Sequence, residues 1–587
     1  MKGFDTLKVK SAVKNRNKFN LSCSHLTTMN FGEIVPLYAE ETVPGDKFSI
    51  GSNFFSRMAP LVKPTYGKFQ FKTIAGFVPY HQLSVDAEAW LAGKTSFEGM
   101  TPHHRYITVR ELWSWIVNDL TSQGTATNND CSYTKSDGTI GYRVFTTKGK
   151  YWMKIMNALG YTIPQGVDLQ ASSAWDAWAT SAKLSAYPVL AFLKLYNDYM
   201  SQSQRYNSSV LSTSLQNIKY NVANASLWTN TTGALKYTGL TSMFNEIRLN
   251  YENDYFTSAW QEPNNALGTI ESITSAGTTP GSTGTISASI NDNVIAQSLP
   301  VSGSNATLSL GQRALDFLKD FDNWVRRNNY SGSRVVQQIY SRFGIKTDDY
   351  RSHYAHVIST DSQPIQVGDV TATNQASTVT LGDYAGKGIL SSGSKFSYDC
   401  SDYGIIIILG YFTVTPMNSY GFDRKVLRNS PLDYYTPEFD GLGAEAIPLM
   451  EYFENPLGTA DSDTTFSYNI FGFTERYNSY RFGRDKITGE FRNYNNTNGM
   501  NVWHTGRLLN SVRKAGNLVA QSSSVNTLPQ TNSAYNRIFS ITSGDVDHFY
   551  LTCQFSVSAI RPMMSLNQVP RLGEGDTVVP RNGNVVS

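Results

Sequence analysis

Cysteine, charge and long apolar runs are all scarce in this chain of 587 residues. Its four cysteines, Cys23, Cys131, Cys400 and Cys553, show no paired spacing. That excludes a thiolate zinc site and a dense disulfide framework, and a reducing compartment is the simplest setting. Charged residues make up 17%, below the roughly 25% of an average soluble domain. The longest strongly apolar run, IIIIL at 405–409, is far too short to span a bilayer, so no membrane insertion is expected. No apolar segment follows the basic N-terminus, so no secretory leader is expected either. Catalytic signatures are equally sparse. AGKT at 92–95 ends like a phosphate-binding loop, but Glu88 stands where the first glycine of that loop is required. Neither G-x-S-x-G nor H-E-x-x-H occurs. The histidine pairs His103/His104 and His353/His356 have no acid or cysteine at a matching offset, and read as surface or hydrogen-bonded side chains rather than metal ligands.

Aromatic residues, by contrast, are plentiful. With 34 Tyr and 30 Phe on a weakly charged chain, extensive protein–protein contact is the natural reading. The net charge is only +3, but residues 1–18 hold Lys2, Lys8, Lys10, Lys14, Arg16 and Lys18 against Asp5 alone. That is six minus one, a local +5 on a body of −2. A basic arm on a near-neutral body is an arrangement suited to nucleic acid, although a solvated terminus would look the same.

Most of the chain reads as strand and loop. KFQFKTIAGFV (68–78) and FYLTCQFSVSAI (549–560) alternate in apolar residues with period two, the mark of half-buried strands. GIIIILGYFTVTP (404–416) is continuously apolar, as in a strand covered on both faces. Helical spacing appears in RALDFLKDFDNWVRR (313–327) and in YPVLAFLKLYNDYM (187–200), where Pro188 suits a first turn. In both, the aromatic stripe reads as core rather than a ligand box. The segment 268–309 is half Ser, Thr and Gly, 21 of 42 residues, with no aromatic residue and no Lys or Arg. It cannot build its own core and reads as a linker or an exposed insertion with room for short strands. A second polar stretch occupies 121–141.

One acidic cluster asks for a chemical reading. VPLYAEETVPGDKF (35–48) places Glu40, Glu41 and Asp46 around a Pro44-Gly45 turn. In an extended 35–43 the two glutamates point to opposite faces, and Asp46 braces the turn, so an acid/base pair acting on one substrate atom is not expected.

The same stretch begins a series. VPLYAEETVPGDKFSI, RMAPLVKPTYGKFQFKTIAGFVPYHQL (57–83), YPVLAFLKLYNDYMSQSQRYN (187–207) and NDYFTSAW (253–260) come first. YSRFGI (340–345), QPIQV (363–367), LGDYAGKGI (381–389), TPEFDGLGAEAIP (436–448), GFTERYNSYRFGRDKITGEFR (472–492) and VWH (502–504) follow in order. Together these blocks resemble the major capsid proteins of the Microviridae, the small circular single-stranded DNA phages, in a gokushovirus-like but divergent branch. The regions 121–150, 268–309 and 505–545 match poorly.

The resemblance implies a mainly β chain. It would be one eight-stranded antiparallel β-sandwich (viral jelly roll) spanning 35–587, with a few helices in long interstrand insertions and a basic arm at 1–34. Two of its parts are a polar loop at 121–150 and an exposed insertion at 261–311, a candidate three-fold protrusion. It implies self-assembly into a T=1 icosahedral shell around single-stranded DNA, in the host cytoplasm and with other virion proteins. It also implies a virion location and a host-surface receptor for the exposed insertion. No catalytic residue, cofactor or metal is expected. Lys2, Lys8, Lys10, Lys14, Arg16 and Lys18 are candidates for DNA contact. Arg476, Arg481, Arg484 and Arg492 are candidates to meet carboxylates of a neighbouring copy, with Glu40, Glu41 and Asp46 as partners, unless they form a solvated hairpin. The competing class is a secreted or surface β-sandwich that binds or hydrolyses carbohydrate; a third is an enzyme using Glu40 or Asp46.

Overall fold

In a computed structural model, residues 16–563 are described apart from breaks, chiefly 163–172, 201–233, 260–268, 275–282, most of 309–353, 369–386, 453–469, 493–499 and most of 507–534. The described chain is mainly β. Ten strands build its centre: β1 (Asn17–Asn20), β2 (Cys23–Met29), β3 (Ile34–Thr42), β4 (Lys47–Met58), β5 (Phe69–Pro79), β6 (His356–Pro364), β7 (Gln366–Gly368), β8 (Lys387–Asp399), β9 (Gly404–Val414) and β10 (Phe549–Arg561). They form two antiparallel sheets. One has six strands in the order β1-β10-β4-β8-β7, with β2 also on β10; the other runs β6-β5-β9-β3.

The sheets face each other across an apolar core. Its contacts include Phe412 stacked on Phe549 at 4.1 Å, Tyr38 against Phe555 at 5.1 Å and Phe54 edge-on to Phe71 at 5.2 Å. β10 behaves as its sequence predicts: Phe549, Leu551, Cys553, Phe555 and Val557 are buried and the intervening residues look outward. β5 departs from simple alternation. From Thr73 onward every residue is buried, because a helical layer covers the outer face of its sheet.

That layer comprises α1 (Val109–Trp115), α2 (Thr147–Ala158), α3 (Tyr187–Tyr199) and α4 (Tyr237–Phe244). Threonine hydroxyls open the first two, Thr108 accepting from Glu111 N at 3.1 Å and Thr146 from Gly149 N at 3.0 Å. α3 carries Pro188 in its first turn, as predicted. It is apolar nearly all round and therefore lies buried. A Cβ on Gly76 would stand 2.6 Å from Leu195, so the missing side chain lets α3 rest directly on β5. Ile74, Val78, Ile405, Ile407 and Leu409 point into this second core, against Trp113, Trp115, Trp152 and Phe244. The continuous apolar run of β9 thus serves two cores at once.

A polar clasp fastens the layer to the sandwich. Lys154 donates to Glu33 at 2.8 Å and to Asp547 at 2.7 Å, and Asn30 bonds both carboxylates at 2.9 Å. Burial pushes the Glu33 carboxyl above its usual range despite the ammonium beside it.

Two sequence expectations change, and a third, the room for short strands in 268–309, is filled. Strands β1 and β2 lie inside the segment 1–34 assigned to the arm, pairing with β10 from Asn17 to Met29. Their apolar residues are too few to stand out beside the lysines. The 121–150 stretch is not a loop: Thr121–Gln123, Ile140–Phe145 and Cys131–Thr134 form a small sheet in that spatial order, and α2 follows. The 268–309 stretch contains Thr269–Thr274, Thr283–Ile290, Asn293–Ser302 and Thr307–Leu308, joined as a sequential antiparallel sheet of its own. The helix expected over 313–327 lies outside the described residues, except for Asp320 and Asn323, which are helical.

Candidate subunit-contact surfaces

The opening acids meet an arginine that sequence reasoning did not single out. Gly45 turns the chain with φ +92°. Asp46 braces that turn by accepting from Val43 N at 3.0 Å. Arg561, at the end of β10, donates to Glu40 Oε1 at 3.1 Å and to the Glu41 carbonyl at 2.9 Å, and lies 3.3 Å from Asp46 Oδ2. Burial nonetheless raises the Glu40 carboxyl. Glu41 lies beside Tyr80, whose phenol is pushed up by burial and by that charge. The three carboxylates are therefore held by groups of their own chain and do not converge on a cleft.

The predicted arginines sit in the long connection from β9 to β10. Its frame is a hairpin of Ala444–Pro448 with Ile470–Glu475. Arg424 bonds Glu445 and lies 3.7 Å from Glu451. Glu451 is buried, which lifts its carboxyl to about 7 even with Arg424 and Arg484 nearby. Arg484 works as a staple, donating to the carbonyls of Phe422, Gly421 and Glu451 at 2.7, 3.1 and 3.2 Å. Arg481 stays exposed, bridging Glu475 at 2.6 Å and Asp440 at 2.9 Å. Arg476 lies over the rings of Phe439 and Tyr477, each at 5.3 Å. Arg492 is exposed. Around them Phe422, Val426, Leu432, Tyr434, Tyr435, Tyr480 and Phe482 stand out from the surface, Val426 by 67%. An apolar patch rimmed by charge is the signature of a protein–protein contact.

Of the predicted DNA-contacting residues, Arg16 and Lys18 are exposed; Lys2, Lys8, Lys10 and Lys14 lie outside the described residues. His104 packs between Trp90 and Tyr187, and burial lowers its pKa. His353 lies outside the described residues. Gly93 closes the short helix Ala87–Leu91 instead of opening one, so AGKT has the wrong geometry for phosphate. Among the described residues no group of three or more His, Cys, Asp or Glu is placed to hold a metal. No helix among them is long and apolar enough to cross a membrane.

The residues missed are Arg561, Lys154, Arg424 and Glu451, and for Arg561 the strand period holds a signal. In β10 the odd positions face the core, and Arg561 continues them; in β4 the even positions do, and Asp46 precedes them. A charge on the buried parity requires a partner, and these two strands are neighbours.

A family model described as capsid protein (F protein) matches residues 7–96 and 161–572. The chain belongs to this phage capsid family. Two relatives agree. Capsid protein VP1 of Chlamydia phage 1 is 22% identical over 609 aligned residues, covering 94% of this chain and 95% of the relative. Capsid protein VP1 of Bdellovibrio phage phiMH2K is 21% identical over 575, covering 95% and 96%. This is a major capsid protein of the Microviridae, a structural component of the virion and not an enzyme. The gap in the family match, 97–160, contains the 121–150 sheet and the whole of α1 and α2.

Proposed function

We propose that this capsid protein is a single jelly roll whose copies close a T=1 icosahedral shell around circular single-stranded DNA. One observation carries the reading. Counting β2, β3, β4, β5, β6, β8, β9 and β10 as first to eighth, one sheet runs first-eighth-third-sixth and the other second-seventh-fourth-fifth. Every neighbouring pair is antiparallel. Two antiparallel ribbons wound round each other generate that order. Such a shell closes only if different patches of one chain complement each other about its axes. The aromatic patch of the β9–β10 connection, with Arg476, Arg481 and Arg492 at its rim, supplies one side of such a contact. Arg484 serves it from behind by fixing the connection, while Glu40, Glu41 and Asp46 lock the β3–β4 turn to the end of β10.

Electron microscopy of the purified chain tests this. Particles of uniform diameter are expected, and a monomer at all concentrations would overturn it. The insertion 261–311 is proposed to protrude at the three-fold axes and to reach a host-surface receptor. Its self-contained sheet supports that reading. Deleting it should remove surface spikes and host attachment while particles still form in the host cytoplasm. The basic arm is proposed to neutralise the genome. With all six cations on phosphate, the log–log salt slope of single-stranded DNA binding should be about −4.

A further inference from the structure

The two outer faces of the sandwich differ. The helical layer covers one; on the other, the outward residues of β2, β4, β8 and β10 are exposed or half-exposed. We propose that this face of the six-stranded sheet is a binding platform for single-stranded DNA, with Phe55 and Tyr550 stacking bases. The proposal rests on the reading of this chain as a packager of such DNA, and it names a surface beyond the arm.

Register places the groups. Tyr550 stands opposite Arg57, Thr552 opposite Phe55, and Gln554 opposite Asn53. The two rings are therefore diagonal neighbours, about 7–8 Å apart. They are 48% and 41% exposed, and Arg57 reaches over Phe55 at 5.5 Å. Next along the sheet the outward positions shrink to Gly51, Ser556 and Gly393, so a strand of nucleic acid can approach the backbone closely. Lys395 stands opposite Gly51, and Lys18 and Lys47 lie along the far rim. Among the described outward residues these three and Arg57 meet one acid, Asp399, which Lys47 already pairs at 3.0 Å.

Flat exposed rings, small polar neighbours and unbalanced cations are what a single strand needs, because every base offers a π-face and every phosphate a charge. A protein partner would favour a closed apolar centre, whereas here Arg57 stands between Tyr550 and Ile389, and Thr552 between Leu26 and Phe55, so a cation and a hydroxyl break up the exposed apolar side chains. Continuity adds a second argument. The lysine-rich segment 2–14 leads directly into β1, the edge strand of this same sheet, so its charge is tethered at the platform.

The test uses the full-length, unassembled chain, a fluorescent oligo(dT) and an abasic oligomer of equal length, with anisotropy read over a salt series. Phe55→Ala/Tyr550→Ala should weaken oligo(dT) binding roughly tenfold or more, leave the abasic oligomer unaffected and keep the salt slope. Arg57→Gln/Lys395→Gln should weaken both probes and lower the slope by about 1.4. Circular dichroism checks that each variant is folded. If both variants bind like wild type while removal of residues 1–15 abolishes binding, the platform is wrong and packaging by the arm stands. If the unaltered chain binds no single-stranded DNA, the packaging reading falls as well. If the variants keep DNA binding but no longer form particles, the face belongs to a second copy and the proposal is overturned.

Discussion

The covered sheet and the bare sheet of this sandwich are built by the same chain from different alphabets. β9, in the covered sheet, reads as unbroken Ile and Leu because α3 lies on one side and the sandwich core on the other. β10, in the bare sheet, spends every second position on a residue that meets no core. The difference teaches where the insertions went. The long excursion between β5 and β6 leaves from one strand of the covered sheet and returns to its neighbour, so its helices fall on that face and leave the other open.

The largest expected effect comes from placing a charge on each face. Ile407→Asp buries an unpaired carboxylate between two cores and should abolish folded protein, whereas Ser556→Asp should leave a normal melting curve. Next is the clasp between layer and sandwich. Lys154→Met leaves Glu33 and Asp547 without their cation and should cost about 3–5 kcal/mol at pH 7 in denaturant titration, or somewhat less given the partial exposure of the site. The folded Glu33 carboxyl already titrates above its unfolded value. Folded chains therefore hold that proton at pH values where unfolded chains release it, and the deficit of the variant should shrink as pH falls towards 5.

Truncations are milder and sharpen the contrast. Leu195→Ala, under the covered sheet, should cost about 2–5 kcal/mol. Leu26→Ala, 78% exposed on the bare sheet, should stay within about 0.5 kcal/mol. In the connection between the sheets, Glu451 has a folded pKa of about 7 against 4.5 for the free side chain. Its contribution to stability is complete below pH 4.5 and is lost as pH rises through 7. Glu451→Gln should accordingly match the native chain near pH 5 and exceed its stability at pH 8 by on the order of 1–3 kcal/mol. The smallest effect belongs to Arg481→Ala. Its two ion pairs are exposed and are worth under about 1 kcal/mol to the isolated chain, so a large drop in particle yield would assign Arg481 to a subunit contact.

How much of this was legible depended on which face a segment serves. Strands β5, β9 and β10 announced themselves, because half- or fully-buried strands leave a period in the sequence. Helix α3 did so through Pro188 and its apolar run. The covering layer as a whole did not. Trp113, Trp115 and Trp152 lie in short helices separated by a polar sheet, and no local period joins residues that meet only in space. The opening acids were correctly read as a strand end and a turn, but Arg561, some 520 positions away, could be found only by noticing its parity in β10. The family blocks ran across both faces and so identified the chain, while giving no hint of which face lay open.

The place of β10 has a consequence for synthesis. Among the described residues the last strand is an interior one: it lies between β4 and the two N-terminal strands, and Asn17 bonds Met563 across 546 positions. Until the ribosome has released β10, β1 and β2 have no ladder partner and β4 lacks one of its two neighbours. Folding of the bare sheet is therefore postponed until β10 has emerged, as for any topology dominated by distant pairings. A chain cut short before Phe549 cannot present a finished surface to other copies, so the order of strands itself screens incomplete subunits from the shell.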